Sequence, residues 1–270
     1  MTERREVEVE MAGGVLTATM SDDENRNALS PGLVQGLREA VARGNADASI
    51  RVIVITNIGS TFCAGANLKQ RSQAKEVNKP DEEGSTSGGL TELFSEIQAS
   101  QTPVVAKIAG HVMGGGNGLA AVCDISVASE EAKFGFTEVR LGVIPAMISV
   151  VCLPKMRHGD AMELFLRGNR IPAARAAELG LINRAVPAEA LDSEISEIVS
   201  DLCKGSPNAL GLAKTLLFEV PKRTQAEAFD WTTALSNELF AGDEAKAGMK
   251  AFIERRPAPW VQGPGVSEQD

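Results

Sequence analysis

Five residues near the middle of the chain, Gly114-Gly115-Gly116-Asn117-Gly118, combine a glycine-rich turn with the predicted start of a helix. They follow Pro103–Ile108, a run rich in β-branched residues that is typical of a buried strand. Glycine lets the backbone approach a ligand closely, and the first N–H groups of a helix have no partner within it. Because the positive end of the helix dipole lies there too, such a corner can stabilise a developing negative charge. Tight packing of the helix against the strand remains an alternative explanation of the glycines.

The spacing of these glycines excludes two common nucleotide-binding motifs. A G-x-G-x-x-G loop that starts at Gly114 would require glycine where Leu119 stands. A P-loop would require Gly-Lys followed by Ser or Thr, which is absent as well. Neither motif therefore predicts a nucleotide site here.

A second corner rich in small residues follows the apolar run Val52–Ile55, which is typical of a strand with both faces buried. It is Phe62–Lys69, with the sequence FCAGANLK. Small residues at such a corner allow backbone N–H groups to face a cavity. Taken alone, this pattern indicates a turn and no specific chemistry.

Glu138 is the candidate acid and base. It lies among Phe136, Val139, Val143 and Ile144 in the sequence. A carboxylate in apolar surroundings has a raised pKa, because desolvation disfavours its charged form, and it can then both accept and donate a proton. A solvated glutamate, or one paired with Arg140, remains the alternative.

The elements that position these residues alternate between strand and helix. The predicted strands Val52–Ile55, Pro103–Ile108 and Asp124–Ala128 are separated by the predicted helix Leu90–Ser100 and by the helix that follows the glycines. This order indicates parallel strands joined by right-handed crossovers. Helical patterns dominate after Met156, so we expect an α/β core over residues 1–200 and a helical C-terminal part over residues 201–270.

Composition excludes several functional classes. The chain has 270 residues and a formal net charge of −9, which argues against general affinity for nucleic acid or an anionic membrane. No apolar run is long enough to span a bilayer, and the charged N-terminus lacks the apolar core of a signal peptide. The four cysteines form no CxxC pair, so neither a metal site nor a disulfide framework is predicted. These features are typical of a cytoplasmic protein with reduced thiols.

Together, the three segments resemble the enoyl-CoA hydratase/isomerase (crotonase) family. The family patterns F-x-A-G-A-D-L-K, N-G-x-A-x-G-G-G-x-E-L-A-x-x-C-D and F-x-x-P-E-x-x-L-G-x-x-P correspond here to FCAGANLK, GHVMGGGNGLAAVCD and FGFTEVRLGVIP, in the same order. Residues 27–30 (NALS) and 176–183 (AAELGLIN) extend the resemblance over nearly the whole chain. It implies a crotonase-like α/β fold of repeated β-β-α units with a helical C-terminal part.

The resemblance also implies roles for individual residues. The backbone N–H groups of Ala66 and Gly115 would form an oxyanion hole for a thioester carbonyl, and Glu138 would be the catalytic acid and base. Residues implied in binding coenzyme A or the substrate are Ala64, Leu68, Lys69, Gly114, Gly118 and Ile144. Coenzyme A would enter as part of the acyl-CoA substrate, with no permanently bound cofactor and no metal. Family members assemble as trimers or hexamers, which implies a homotrimer or hexamer here.

Three departures from the family patterns bear on the reaction. Gly118 replaces the first glutamate of family hydratases, Asn67 replaces an aspartate, and Thr137 replaces the proline before Glu138. Glu138 would therefore act alone, and the space left at Gly118 would admit a branched or carboxylated acyl chain. We expect an enoyl-CoA hydratase, with a 3,2-enoyl-CoA isomerase as the second hypothesis. A catalytically degenerate crotonase fold that serves as a binding or scaffold protein is the alternative of another class.

Overall fold

A computed structural model describes residues 5–67 and 86–261. Its larger sheet has six strands in the order β1-β2-β3-β5-β7-β10, in which β1 is antiparallel to β2 and all later neighbours are parallel. The strands of this sheet are β1 (Val7–Ala12), β2 (Val15–Met20), β3 (Val52–Asn57), β5 (Val104–Ile108), β7 (Ile125–Ser129) and β10 (Arg184–Val186). The predicted parallel arrangement of the three central strands is confirmed.

Both faces of the larger sheet are covered, which explains why β3 begins with four consecutive apolar residues, Val52–Ile55. Ile53 and Ile55 belong to the main hydrophobic core, whereas Val52 and Val54 belong to a second core cluster on the opposite face. Successive side chains of a strand point to opposite faces, so a strand between two apolar layers needs no polar positions. All six residues of β3 are buried, including the four that were predicted to be, Val52–Ile55.

A smaller sheet of three-residue strands has the order β4-β6-β8-β9. Its strands are β4 (Thr61–Cys63), β6 (His111–Met113), β8 (Lys133–Gly135) and β9 (Arg170–Pro172). The first three are parallel to one another, and β9 is antiparallel to β8. Along the chain, a strand of the large sheet, a strand of the small sheet and a helix recur in that order. The fold is therefore the crotonase-like α/β fold of repeated β-β-α units.

The helices have the expected amphipathic spacing and, in several cases, clear caps. The described helices are α1 (Pro31–Ala46), α2 (Thr86–Ala99), α3 (Gly115–Val122), α4 (Ala146–Cys152), α5 (His158–Arg167), α6 (Ala173–Glu178), α7 (Leu191–Lys204), α8 (Pro207–Glu219), α9 (Gln225–Ala241) and α10 (Asp243–Ile253). Ser30 caps α1 through its hydroxyl, which accepts the Leu33 N–H at 3.0 Å. The glycine-rich segment 114–118 does not form one continuous turn, because α3 already begins at Gly115.

The helices after α7 bury few of their own residues. In α8 to α10 the buried residues are Gly211, Lys214 and Ala251, and α9 has none. The predicted boundary at residue 200 falls inside α7, whose Leu191 and Ile195 cover the outer face of the large sheet. The division into a core and a helical C-terminal part stays a prediction. Across the described ranges, no helix combines the length and the apolar character needed to cross a bilayer.

A buried ion pair joins the C-terminal helices to the core. Lys214 Nζ lies 2.8 Å from Asp124 Oδ2 and also donates to the Ile97 carbonyl oxygen at 3.1 Å. The same Asp124 oxygen accepts the Val104 N–H at 2.7 Å. The charges of this pair are compensated inside the protein, which fixes α8 against the start of β5.

Candidate active site

Two glycine corners approach each other at one end of the small sheet. Gly65 has a φ of +81°, and a Cβ on it would lie 2.8 Å from the Gly115 nitrogen and 2.9 Å from the Met113 carbonyl oxygen. A Cβ on Gly115 would in turn lie 3.9 Å from the Ala66 nitrogen. Only glycine permits both the positive φ and this approach. The fold therefore brings the backbone amides of Ala66 and Gly115 close together.

Within the described ranges, neither the Ala66 N–H nor the Gly115 N–H has a hydrogen-bond acceptor. The Gly65 carbonyl oxygen accepts the Leu29 N–H at 2.8 Å, and the Gly114 carbonyl oxygen accepts the Asn117 N–H at 2.9 Å. Since the C=O and N–H of a trans peptide point in opposite directions, each unpaired N–H points away from the group that holds its carbonyl. Two such donors can stabilise an oxyanion.

Glu138 lies beside this pair of amides. A short 3-10 helix, Thr137–Leu141, follows β8 and carries the residue. Glu138 Oε1 would lie 3.4 Å from a Cβ on Gly114, and Glu138 Oε2 is buried without a partner in the described part of the chain. Desolvation by burial raises the pKa of Glu138, and a hydrogen bond from its own backbone N–H opposes the rise only in part. The carboxyl group is therefore suited to take up and release a proton at a higher pH than an ordinary glutamate.

Two cavities meet at this point. The first, which we call the polar cavity, has a volume of about 560 Å³, and its lining includes Arg26, His111 and Arg170. The second, the apolar cavity, has a volume of about 540 Å³. Ala64, Ala66 and Thr137 line both. The lining of the apolar cavity is Leu29, Ala64, Ala66, Leu90, Gly114, Gly115, Thr137, Glu138, Leu141, Val143, Ile144, Pro145, Ala146, Met147 and Ile148.

The prediction that Gly118 leaves space for an acyl chain is wrong. A Cβ on Gly118 would lie 2.5 Å from Ile148 Cγ2 and 2.8 Å from Phe94 Cζ, so two neighbouring side chains already occupy the space beside it. Gly118 is buried and does not line the apolar cavity, whereas Ile148 does. The position of the missing glutamate is therefore filled by apolar packing, which leaves no extra space there for an acyl chain.

The remaining predicted site residues divide into two groups. Ala64, Gly114 and Ile144 line the apolar cavity, next to Ala66, Gly115 and Glu138. Leu68 and Lys69 lie outside the described residues. The catalytic and binding roles of all these residues stay predictions.

Several cavity residues were missed in the sequence. Arg26 precedes the NALS segment that carries part of the resemblance, and Leu29 belongs to it. The resemblance could therefore have indicated that both lie near the site. Met147 and Ile148 follow Ile144 at helical spacing, which could have placed them on the same face. Arg170 comes from β9, and no pattern in the sequence connects that short strand with the glycine corners.

Thiol chemistry is not available at this site. Cys63, Cys123 and Cys152 are buried and free, and Cys203 is free and partly buried. Burial raises the pKa of Cys63 and of Cys123 to about 12, so both stay protonated at neutral pH. No three His, Cys, Asp or Glu side chains come together as metal ligands in the residues described.

The pattern of the whole sequence identifies the family. The family model for enoyl-CoA hydratase/isomerase matches residues 10–263. The chain belongs to the enoyl-CoA hydratase/isomerase family. Within this crotonase family, the chain is 33% identical over 245 residues to a Thermus thermophilus protein provisionally named an enoyl-CoA hydratase, covering 91% of this chain and 96% of that protein. It is 31% identical over 249 residues to enoyl-CoA hydratase EchA19 of Mycobacterium tuberculosis, covering 92% and 93%.

Solved crotonase-family structures have the same fold. The enoyl-CoA hydratase/isomerase of Marinobacter aquaeolei superposes with a TM-score of 0.87 at 29% identity and covers 95% of this chain and 99% of its own.

Proposed function

We propose that the protein is an enoyl-CoA hydratase, which adds water across the 2,3 double bond of an enoyl-CoA thioester. The observation that carries this proposal is the meeting of two unpaired backbone amides and one half-buried carboxylate where a polar and an apolar cavity join. The thioester carbonyl would lie between the amides of Ala66 and Gly115. Each such donor stabilises a transition state by about 2.7–4 kcal/mol.

Glu138 would carry out both proton transfers. As the oxygen of water bonds to Cβ, the Glu138 carboxylate takes one proton from that water, and the electron pair of the double bond moves toward the thioester carbonyl. The two amides then hold the enolate oxygen. The protonated Glu138 returns its proton to Cα, which completes the addition of water and regenerates the carboxylate.

Thr137 would help to hold the water. Among the described residues that line the apolar cavity, Thr137 and Glu138 carry the polar side chains. An ordered water in an apolar site needs at least two polar partners, and a hydroxyl and a carboxylate provide them. We therefore expect Thr137→Val to slow hydration more than it slows proton transfer without water.

A 3,2-enoyl-CoA isomerase is the second candidate. It is supported by Ile148 and Phe94, which fill the space beside Gly118 and leave Glu138 as the single carboxylate in the described lining of the apolar cavity. One base is sufficient to move a proton between Cα and Cγ of a 3-enoyl thioester. In that reaction the hydroxyl of Thr137 has no role.

Coenzyme A would occupy the polar cavity as part of the substrate, and no permanently bound cofactor is proposed. Arg26 and Arg170 in its lining provide local positive charge in a chain whose net charge is −9. Guanidinium groups bind phosphate oxygens in a bidentate manner. Because no cation lines the apolar cavity in the described ranges, we favour an uncharged acyl chain, straight or branched.

The test is an assay of purified protein with straight, branched and carboxylated 2-enoyl-CoA substrates, followed by loss of enoyl absorbance. Glu138→Gln should abolish most of the turnover, whereas Glu131→Gln, which removes an exposed carboxylate, should not. Because burial raises the pKa of Glu138 and its charged form is the base, kcat/KM should fall as the pH drops through that raised value. Near-wild-type turnover by Glu138→Gln would remove Glu138 from the mechanism. Conversion of 3-enoyl-CoA without hydration would favour the isomerase.

We further propose a homotrimer or hexamer in which the C-terminal helices form contacts. Support comes from α9, none of whose residues is buried by the described part of the chain. Its Phe229 is 63% exposed and its Phe240 is 65% exposed. In α10, Phe252 is 85% exposed. Large apolar side chains that share one region of the surface are typical of interfaces. Light scattering of the wild type and of Phe252→Lys would test this, and a monomeric wild type would contradict it.

A cytoplasmic location is also part of the proposal. It is supported by the four free cysteines, since thiols persist in reducing compartments.

A further inference from the structure

Asn117 occupies an unusual place beneath the glycine corner. It is fully buried in the first turn of α3, two residues after Gly115. Its side-chain Nδ2 donates to the Gly114 carbonyl oxygen at 3.0 Å and to the Gly135 carbonyl oxygen at 2.9 Å. Its Oδ1 has no partner within the described ranges. The orientation of the amide is fixed by these contacts, because a flipped amide would place Oδ1 against two carbonyl oxygens.

We propose that Asn117 is a positioning residue that sets the direction of the Gly115 N–H and links it to the segment that carries Glu138. This inference rests on the proposed function of that N–H as an oxyanion donor. The peptide between Gly114 and Gly115 has its C=O held by Asn117, and its N–H therefore points to the opposite side. Gly114 has φ +52° and ψ −123°, and as a glycine it has no Cβ that would restrict the direction of this peptide.

The second bond of the amide reaches the other half of the site. Gly135 ends β8, three residues before Glu138, and its carbonyl oxygen also accepts the Gly114 N–H at 3.0 Å. One side chain thus joins the turn that carries the donor to the strand that precedes the base. The distance between the Gly114 turn and β8 is set by the two Asn117 side-chain bonds and by the bond from the Gly114 N–H to the Gly135 carbonyl oxygen.

Stability alone does not account for an asparagine here. Both carbonyl oxygens already have a backbone donor, Asn117 N–H for Gly114 and Gly114 N–H for Gly135. The unpaired, buried Oδ1 is unfavourable, because a buried acceptor without a partner has lost its hydrogen bonds to water. An apolar side chain of similar size would fill the same space without that loss. What asparagine adds is directional control of the peptide plane.

The test compares Asn117→Leu with wild type and with Ser126→Ala. Leucine has the same branched arrangement of four non-hydrogen side-chain atoms as asparagine and lacks the donor. Ser126 Oγ donates to the Ala120 carbonyl oxygen at 2.5 Å, so Ser126→Ala removes a buried side-chain bond to the same helix, away from Gly115. The first readout is steady-state kinetics. We expect Asn117→Leu to lower kcat about 10–100-fold, less than the 10²–10³-fold typical of losing an oxyanion donor, with little change in KM.

The second readout is the infrared stretch of the thioester carbonyl in bound, ¹³C-labelled butyryl-CoA, which undergoes no reaction. Hydrogen bonds to a carbonyl oxygen weaken the C=O bond and lower its stretching frequency. Relative to free butyryl-CoA, we expect a clear downshift of this frequency on binding to the wild type, to Ser126→Ala and to Glu138→Gln. On binding to Asn117→Leu we expect a smaller downshift. A purely structural role would leave this frequency unchanged in every variant that binds the ligand.

The outcomes separate the inference from the proposed function. A full downshift in Asn117→Leu, with a downshift in the wild type, overturns the positioning role alone. Binding of butyryl-CoA to the wild type without any downshift overturns the oxyanion hole, and the positioning role with it. If Asn117→Leu does not fold, Asn117→Ala removes the same donor without adding bulk, and the same two readouts apply to it.

Discussion

The space beside Gly118 offers a sharp test of the packing that replaces the second glutamate. In Gly118→Ala, the new Cβ would lie 2.5 Å from Ile148 Cγ2 and 2.8 Å from Phe94 Cζ. Carbon atoms in favourable contact lie about 3.5–4.0 Å apart, so the overlap is about 1 Å on two sides. Ile148 is branched at Cβ and has little rotational freedom, so the strain must move helix α4 or the Phe94 ring.

The size of the effect follows from two opposing contributions. Overpacking of a core costs about 1–3 kcal/mol, and replacing a helical glycine with alanine returns about 0.5–1 kcal/mol. We expect a net loss of about 1–2 kcal/mol in the free energy of unfolding, which corresponds to a fall in melting temperature of about 2–8 °C.

The assay is thermal unfolding followed by circular dichroism, with Gly159→Ala as the control. Gly159 lies in helix α5 and has no atom within 4 Å of its Cβ position, so its substitution should be neutral or slightly stabilising. Ile148→Leu removes the clashing Cγ2 at nearly constant volume. In combination with Gly118→Ala it should recover part of the loss.

Equal melting temperatures for Gly118→Ala and Gly159→Ala would refute the reasoning. The same packing predicts that Gly118→Glu will not increase hydration, because its side chain lies behind Ile148 and Phe94. A stable Gly118→Glu variant with faster turnover would contradict this prediction, because it would show that Ile148 and Phe94 move aside at little cost in free energy.

Three other substitutions test the electrostatics and the local structure. Burial raises the pKa of Glu138, so the stability associated with its protonated form is present at low pH and is lost as the pH rises through the raised value. Glu138→Gln should therefore melt at a higher temperature than wild type at pH 8 and at nearly the same temperature at pH 4, and a gap that does not change with pH would contradict this. Lys214→Met leaves the largely buried Asp124 without the cation of its ion pair and should cost about 3–5 kcal/mol in urea unfolding, whereas Lys204→Met at an exposed ion pair should change stability by less than about 1 kcal/mol. Ser30→Ala removes the cap of α1 and should cost about 1 kcal/mol by the same method, and no loss would mean that the cap contributes nothing.

Local patterns in the sequence were sufficient for β3, β5 and β7, the central strands of the large sheet, and for the helical character of the chain after Met156. The apolar run of β3 and the spacing of apolar residues in α1 are local features, and local backbone preferences and burial reproduce them. The small sheet was missed because each of its strands has three residues, too few for any alternation to be visible. Such strands exist only through pairing with distant segments.

The sequence by itself determined the family, the two glycine corners and the one glutamate that accompanies them, because each is written in consecutive residues. Only the tertiary structure decided that Ile148 and Phe94 fill the space beside Gly118 and that the Asn117 amide reaches Gly135. Those facts depend on distances between segments far apart in the chain. The absence of a side chain at one position says nothing about which neighbours move in, since the packing of the whole core decides it.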